Sequence, residues 1–376
     1  MVSRLWTGSW AGALALGLVL GSAAGSSAAG QRILDGGVID GSPAKRAAAA
    51  AVAVAAGPQE LLRLSQRINV EGQELFYSGL LSLEWTSDTV SMLVYQEPRP
   101  SDGQIFTAVD QRRPETGYSS GSSASFVLPA ADMPVTPGTY TYEIAATVDT
   151  AEVIVLRRRG PQPTSGTVDL NLFVLEGAGL EVPELEPAVA LFVQTFAGAG
   201  IRVGAINLYT VTGAQDLLSV PADTAAGSPL RQVTPLSALA DNPVACNIFF
   251  VREISTDDGA IYGISMGIPA ALTIPGTISS GVVVGVSAHE TAGGFDSREL
   301  GQTITHETGH SLGLNHTSER DASGYDLISD TAQCAGADPL DAASCPDGAN
   351  FMFWSGRDFQ VSRGQSYVLL RSPVVR

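Results

Sequence analysis

Four textures of apolar and polar residues succeed one another along this chain. The first is an unbroken apolar run, AGALALGLVL at residues 11–20, with Arg4 ahead of it and the small residues GSAAGSSAAG behind it. Ten apolar residues fall short of the roughly 20 that cross a bilayer. A cationic residue, a short apolar core and a small-residue tail are the layout of a bacterial export signal over residues 1–29, with cleavage expected after Ala24 or Ala29. No cysteine follows the apolar core to carry a lipid. The protein is therefore expected to be secreted, with no stable membrane insertion. The second texture, residues 30–59, contains KRAAAAAVAVAAG (45–57), which is apolar but has no face, and is expected to be a linker or propeptide segment.

The third texture runs from 60 to 160. Short runs rich in aromatic and β-branched residues, among them VSMLVYQE, GTYTYEIAATV and AEVIVLRRR, are separated by turn-forming stretches such as EPRPSDG and VTPG. Six or seven strands at this spacing predict an all-β, sandwich-like domain. It carries no constellation of catalytic type, so a folding aid, an inhibitory prodomain and a binding module all remain open. RRRGPQPTSG (157–166), basic and then rich in Pro and Gly, reads as a boundary.

Beyond it, over 166–376, the pattern is mixed. TVDLNLFVLEG, IRVGAINLYTVTG, ACNIFFVREI and SSGVVVGVSA (279–288) read as strands. LEPAVALFVQTFAGAG has helical spacing, with Pro187 expected near its first turn. A second helix is predicted from about Ser297 through Leu314, and SRGQSYVLLR (362–371) a short third one capped by Ser362. The resulting class is α+β: a twisted mixed sheet with helices, preceded by the all-β domain.

Composition narrows the functions. Hydrophobic residues are 44% and charged residues 16%, a globular balance. The net charge of −17 argues against nucleic acid or an anionic membrane as partner. Of three cysteines, Cys334 and Cys345 lie eleven apart in a loop-like segment, a natural spacing for a local disulfide in an oxidising compartment. Closing so short a loop stabilises by roughly 3 kcal/mol in the chain-entropy picture. Cys246, within VACNIFFV, is expected to be a buried, inert thiol.

Three of the four histidines fall within eleven positions, in HETGHSLGLNH (306–316). His306 and His310, four apart, share one face of a helix. Glu307 sits about 100° round and can face a water bound to the same ion. Gly313 can adopt the left-handed conformation that ends a helix, which would let His316 swing back as a third ligand. Three imidazoles suit zinc and leave a fourth position open. Zinc would bring a bound water to a pKa of about 7, and Glu307 could take its proton during attack on a peptide carbonyl.

The full segment H-E-x-x-H-x-x-G-x-x-H resembles the zinc helix of the metzincin clan of endopeptidases. NFMFW is similar to that clan's methionine turn, with Met352 36 residues after His316. Within the clan the likeness is to the pappalysin-like group, through His316-Thr317 and through Asp326-Leu-Ile-Ser-Asp330-Thr331-Ala-Gln-Cys334. The resemblance implies a metzincin-like catalytic domain over 166–376, one catalytic zinc on His306, His310 and His316, and Glu307 as general base. It implies Met352 as an apolar floor rather than a ligand, and protein or peptide substrates. It also makes Asp326, Asp330 and Thr331 candidates for calcium, against a plain solvated acidic loop. By the same likeness, SSGVVVGVSA would be the edge strand along the cleft, where an extended substrate adds by main-chain hydrogen bonds.

Two departures stand out. Trp354 occupies the position where some metzincins place a tyrosine ligand, and residues 25–165 hold no cysteine to block zinc. His289 is expected to be a surface residue rather than a catalytic helper. The competing reading is a secreted binding or adhesion protein with a catalytically silent zinc site. It is weakened by the intact Glu307, since a relic would be expected to lose its base before its ligands.

Overall fold

The computed structural model describes residues 32–49, 59–67, 77–99, 105–108, 124–127, 131, 135–146 and 150–376, apart from 224–226, 258, 337–338 and 357. The expected export signal lies outside the described residues.

The chain enters through β1 (Leu34–Asp40) and α1 (Pro43–Ala49). Both lie inside the stretch expected to be a linker, yet β1 is a strand of the mixed sheet, parallel to a later strand through pairs such as Leu34↔Asn207 and Ile39↔Val211. α1 is fastened by Arg46, which is 7% exposed and donates to Gly41 O at 2.8 Å and to the carboxylate of Asp216. A segment expected to be a linker is thus recruited by a partner about 170 residues away.

Seven strands follow: β2 (Gln59–Arg67), β3 (Tyr77–Trp85), β4 (Thr89–Arg99), β5 (Ile105–Ala108), β6 (Ala124–Val127), β7 (Gly138–Ala146) and β8 (Thr150–Arg159). They form two antiparallel sheets, ordered β2-β8-β4-β6 and β3-β7-β5. Met92 through Tyr95 on β4 and Ile154 through Leu156 on β8 are all buried, so both faces of the four-stranded sheet are covered there. Leu93, Tyr95, Ile154 and Leu156 join the same hydrophobic core as the mixed sheet. Arg158 Nη1 donates to the carbonyls of Leu370 and Ser372 at the far end of the chain.

The mixed sheet is completed by β9 (Gly166–Leu175), α2 (Val182–Gly198) and β10 (Ile201–Thr212), then β11 (Ser219–Pro221), β12 (Cys246–Val251), β13 (Glu253–Thr256), β14 (Gly259–Ile261), β15 (Gly263–Ser265) and β16 (Val282–Gly285). Its order is β1-β10-β9-β12-β16-β15, parallel except for β15. β11, β13 and β14 make a separate three-stranded sheet. β12, buried at all six positions, shows why this region lacks alternation: a parallel strand covered on both faces is almost wholly apolar, and its one polar residue, Asn247, donates to Ser280 O at 2.8 Å.

α2 turns Leu185, Ala188, Val189, Phe192 and Phe196 inward at helical spacing. It begins earlier than Pro187 suggests. Pro183 holds the first turn, the Glu181 N–H donates to Glu184 Oε2 at 2.9 Å, and Pro187 lies inside the helix. The reciprocal cap offsets the backbone bond that an internal proline forgoes. The second correction concerns 279–288. Only Val282–Gly285 is strand, it is internal, and the edge is β15, which is three residues long and carries no alternation to announce it.

Two helices complete the fold, α3 (Ser297–Ser311) and α4 (Arg363–Leu369). α3 starts at Asp296, whose carboxylate accepts from Glu299 N, and packs against α2, β15 and β16. α4 is capped by Ser362, as its sequence predicts. Among the described residues no helix is long and apolar enough to cross a membrane.

Candidate metal centre

α3 carries His306 and His310 on one buried face, each 7% exposed. The helix stops at Ser311, three residues before the predicted end. Gly313 takes φ 109°, Gly313 N donates to His310 O, and Leu314 N donates to Gly309 O. These paired bonds satisfy the last carbonyls and reverse the chain. Thr317 N then donates to Met352 O at 2.9 Å, which returns His316 to the helix.

The three rings meet edge to edge. His316 Nε2 lies 3.2 Å from His306 Nε2 and 3.1 Å from His310 Nε2. Every Nδ1 has an acceptor: Phe351 O for His306 at 2.8 Å, Leu314 O for His310 at 2.7 Å, and Glu319 Oε2 for His316 at 2.9 Å. An Nδ1–H donating outward leaves each Nε2 with its lone pair facing the other two. Three nitrogens at about 2.0–2.1 Å from a tetrahedral ion would lie roughly 3.3 Å apart, so the set fits zinc. Burial also depresses the affinity of the two helix-borne rings for protons. His306 is lowered to about 4 by burial and then by His316, and His310 is held well below its ordinary value, chiefly by burial. Neutral rings are what a cation needs.

Glu307 lies beside this set. Burial raises its carboxyl to about 7, with His316 and the Ser265 backbone pulling it partly back. With His306 it lines a cavity of about 320 Å³ whose other walls include Ile261, Tyr262, Gln302, Thr303 and Trp354. Met352 is fully buried under α3, and a Cβ on Gly309 would collide with its sulfur and with the Phe351 ring. The turn and the helix can approach this closely only because residue 309 is glycine. Trp354 donates its indole N–H to Leu340 O at 2.9 Å.

Cys334 and Cys345 form the disulfide, with Cα atoms 5.3 Å apart. Cys246 is buried, and burial pushes its thiol well up, away from reactivity. His289 corrects the sequence reading. It is fully buried, with Nδ1 3.0 Å from Gly285 O and Nε2 2.9 Å from Thr303 Oγ1, so it ties the turn after β16 to α3 rather than facing solvent.

Of the three calcium candidates, Asp326 and Thr331 meet each other, while Asp330 turns to α4. Asp330 spends both oxygens on the start of α4, accepting from Ser362 Oγ and Gly364 N. The Thr331 hydroxyl donates to Asp326 Oδ1 and contacts Ile328 O. Asp326 is 8% exposed, its Oδ2 has no partner, and burial raises its carboxyl to about 6. Asp347, which sequence reading did not single out, accepts from Thr317 Oγ1 and Ser318 Oγ at 2.7 Å and leaves its Oδ1 unpartnered. Two further residues were missed. Glu319 carried a legible signal, three positions after His316 in NHTSE. Gly263, on the edge strand beside Glu307, carried none.

No protein-family profile matches the chain. Over 133 residues it is 32% identical to Extracellular metalloprotease 1 of Coccidioides posadasii (strain C735), a stretch covering 32% of this chain and 46% of that protein. The chain thus spans less than half the length of that relative. Metalloproteinase-II from Bacteroides fragilis aligns at 14% identity with a TM-score of 0.26, over 51% of this chain and 60% of that one. A family two carbohydrate esterase from Cellvibrio japonicus aligns at 10% identity with a TM-score of 0.16, over 53% and 69%. Neither score is high enough to argue from. In sequence, then, the chain is similar to a metalloprotease in general terms.

Proposed function

We propose that the protein is a secreted zinc endopeptidase of metzincin type, with protein or peptide substrates. The observation that carries this reading is the convergence of three Nε2 atoms, each freed by an acceptor on its Nδ1, beside a buried Glu307. His306, His310 and His316 would hold the metal, with Met352 as their apolar floor. When bound, zinc polarises a carbonyl and eases deprotonation of water near neutral pH. Glu307 accepts a proton at its carboxylate as water attacks, and gives it to the leaving nitrogen. An extended peptide adds along β15, the edge of the sheet nearest Glu307, and is aligned by main-chain hydrogen bonds.

The test separates ligands from base. Glu307→Ala removes no ligand, so zinc content by elemental analysis should stay near stoichiometric while casein hydrolysis falls by at least about 10²-fold. His310→Ala should lose both metal and activity. Hydrolysis that persists in Glu307→Ala refutes the mechanism. A zinc-loaded wild type inactive on every peptide of a library points instead to a binding protein with a silent site.

A further inference from the structure

We propose that Glu319 is a positioning residue that aims His316 at the metal, an inference that rests on the zinc reading above. The three histidines are held in unequal ways. His306 and His310 stand on a rigid helix, nearly buried, with their Nδ1 atoms paired to main-chain carbonyls. His316 comes from the loop after Gly313, and its side chain is 23% exposed, the most open of the three. It is also the one of the three whose Nδ1 meets a side chain, the Glu319 carboxylate at 2.9 Å. A ring free to turn about its Cβ–Cγ bond would present either nitrogen to the site. A carboxylate acceptor on Nδ1 fixes the tautomer and directs Nε2 inward.

The backbone under Glu319 is braced for this role. Thr317 N is bonded to Met352 O, and the Thr317 and Ser318 hydroxyls share Asp347 Oδ2. Cys334 N donates to Ser318 Oγ at 3.0 Å, Glu319 N donates to Gly324 O, and Ala322 N donates to Glu319 O. A carboxylate on so fixed a loop is a stable reference point for the ring. The loop's framework is thereby linked to the quality of the metal site.

The measurement is zinc affinity by chelator competition on the full chain, beside the visible spectrum of the cobalt-loaded protein and the melting temperature of the metal-free protein. Glu319→Ala should weaken zinc binding by roughly 10–100-fold. It should perturb the cobalt spectrum and leave the metal-free melting temperature unchanged. Glu319→Gln, which keeps an acceptor oxygen at the same reach, should recover most of the loss. Glu319→Met keeps the stem without the acceptor and should repeat the loss, so it serves where the alanine variant disturbs the loop. Wild-type affinity in both Glu319→Ala and Glu319→Met overturns the inference while leaving the zinc site intact. A wild type that holds no zinc overturns the site itself, and the two failures are distinguishable.

Discussion

His289 shows how one residue's surroundings set its chemistry. A histidine with an ordinary pKa near 6.5 is lowered to about 4 here, burial being the main cause and the Gly285 and Val286 backbones opposing it. On acidification the unfolded chain takes up this proton first, near 6.5, and the folded protein only near 4. Between those values the unfolded state binds more protons, so stability falls as pH falls, by about 3 kcal/mol across the window. Above 6.5 both states are neutral and the residue adds no pH dependence. Melting temperatures of the zinc-loaded protein, followed from pH 7 to pH 4, should drop more steeply for wild type than for His289→Gln. Parallel curves would mean that His289 takes up its proton equally readily in the folded and unfolded states. At this scale His306, Glu307, His310 and His316 were legible in the sequence because their spacing is a property of a single helix and its stop. The burial of His289 was not, since it depends on Tyr262, Phe295 and Thr303 arriving from other segments.

At the scale of elements, the acidic loop is tied to the start of α4. Asp330, a calcium candidate, serves the N-terminus of α4, where a carboxylate meets free N–H groups and the positive end of the helix. Asp330→Ala should destabilise by about 1 kcal/mol. The loss should be equal with and without calcium when denaturation is followed at saturating zinc. A loss seen only when calcium is present would restore Asp330 as a ligand. The Ser362 cap could be foreseen, because Ser and Gln three apart before an apolar run form a local pattern. The contribution of Asp330 could not, because it reaches the helix from 32 residues upstream.

The whole molecule bears on the residues before the mixed region. The two antiparallel sheets sit between β1 and β9 in the chain, and both of those strands belong to the mixed sheet. Arg46 is anchored to Asp216, Arg158 to the carbonyls of Leu370 and Ser372, and one hydrophobic core includes residues of both regions. A prodomain that leaves on cleavage would have to surrender all of these contacts. With a protease site engineered into the exposed stretch at Thr164–Ser165, the cut protein should elute as one species in native buffer and separate only in denaturant. Free release of the N-terminal fragment, with a rise in peptide hydrolysis, would identify an inhibitory prodomain instead.

Sequence alone determined the features closed within a few turns of chain. These are the ligand spacing of HETGHSLGLNH, the reversal at Gly313, the Ser362 cap and the bridge between Cys334 and Cys345. Each depends on helix periodicity, on the freedom of one glycine, or on a loop of about a dozen residues. Tertiary structure decided the rest. It made Gly263–Ser265 the sheet edge beside Glu307, drew Leu34–Asp40 into the sheet, buried His289 and set Glu319 against His316. Strand pairing joins segments far apart in sequence, and the hydrogen bonds that hold them come from a backbone common to every residue. Such pairings leave little trace in the order of side chains, and they exist only once the chain has closed around its core.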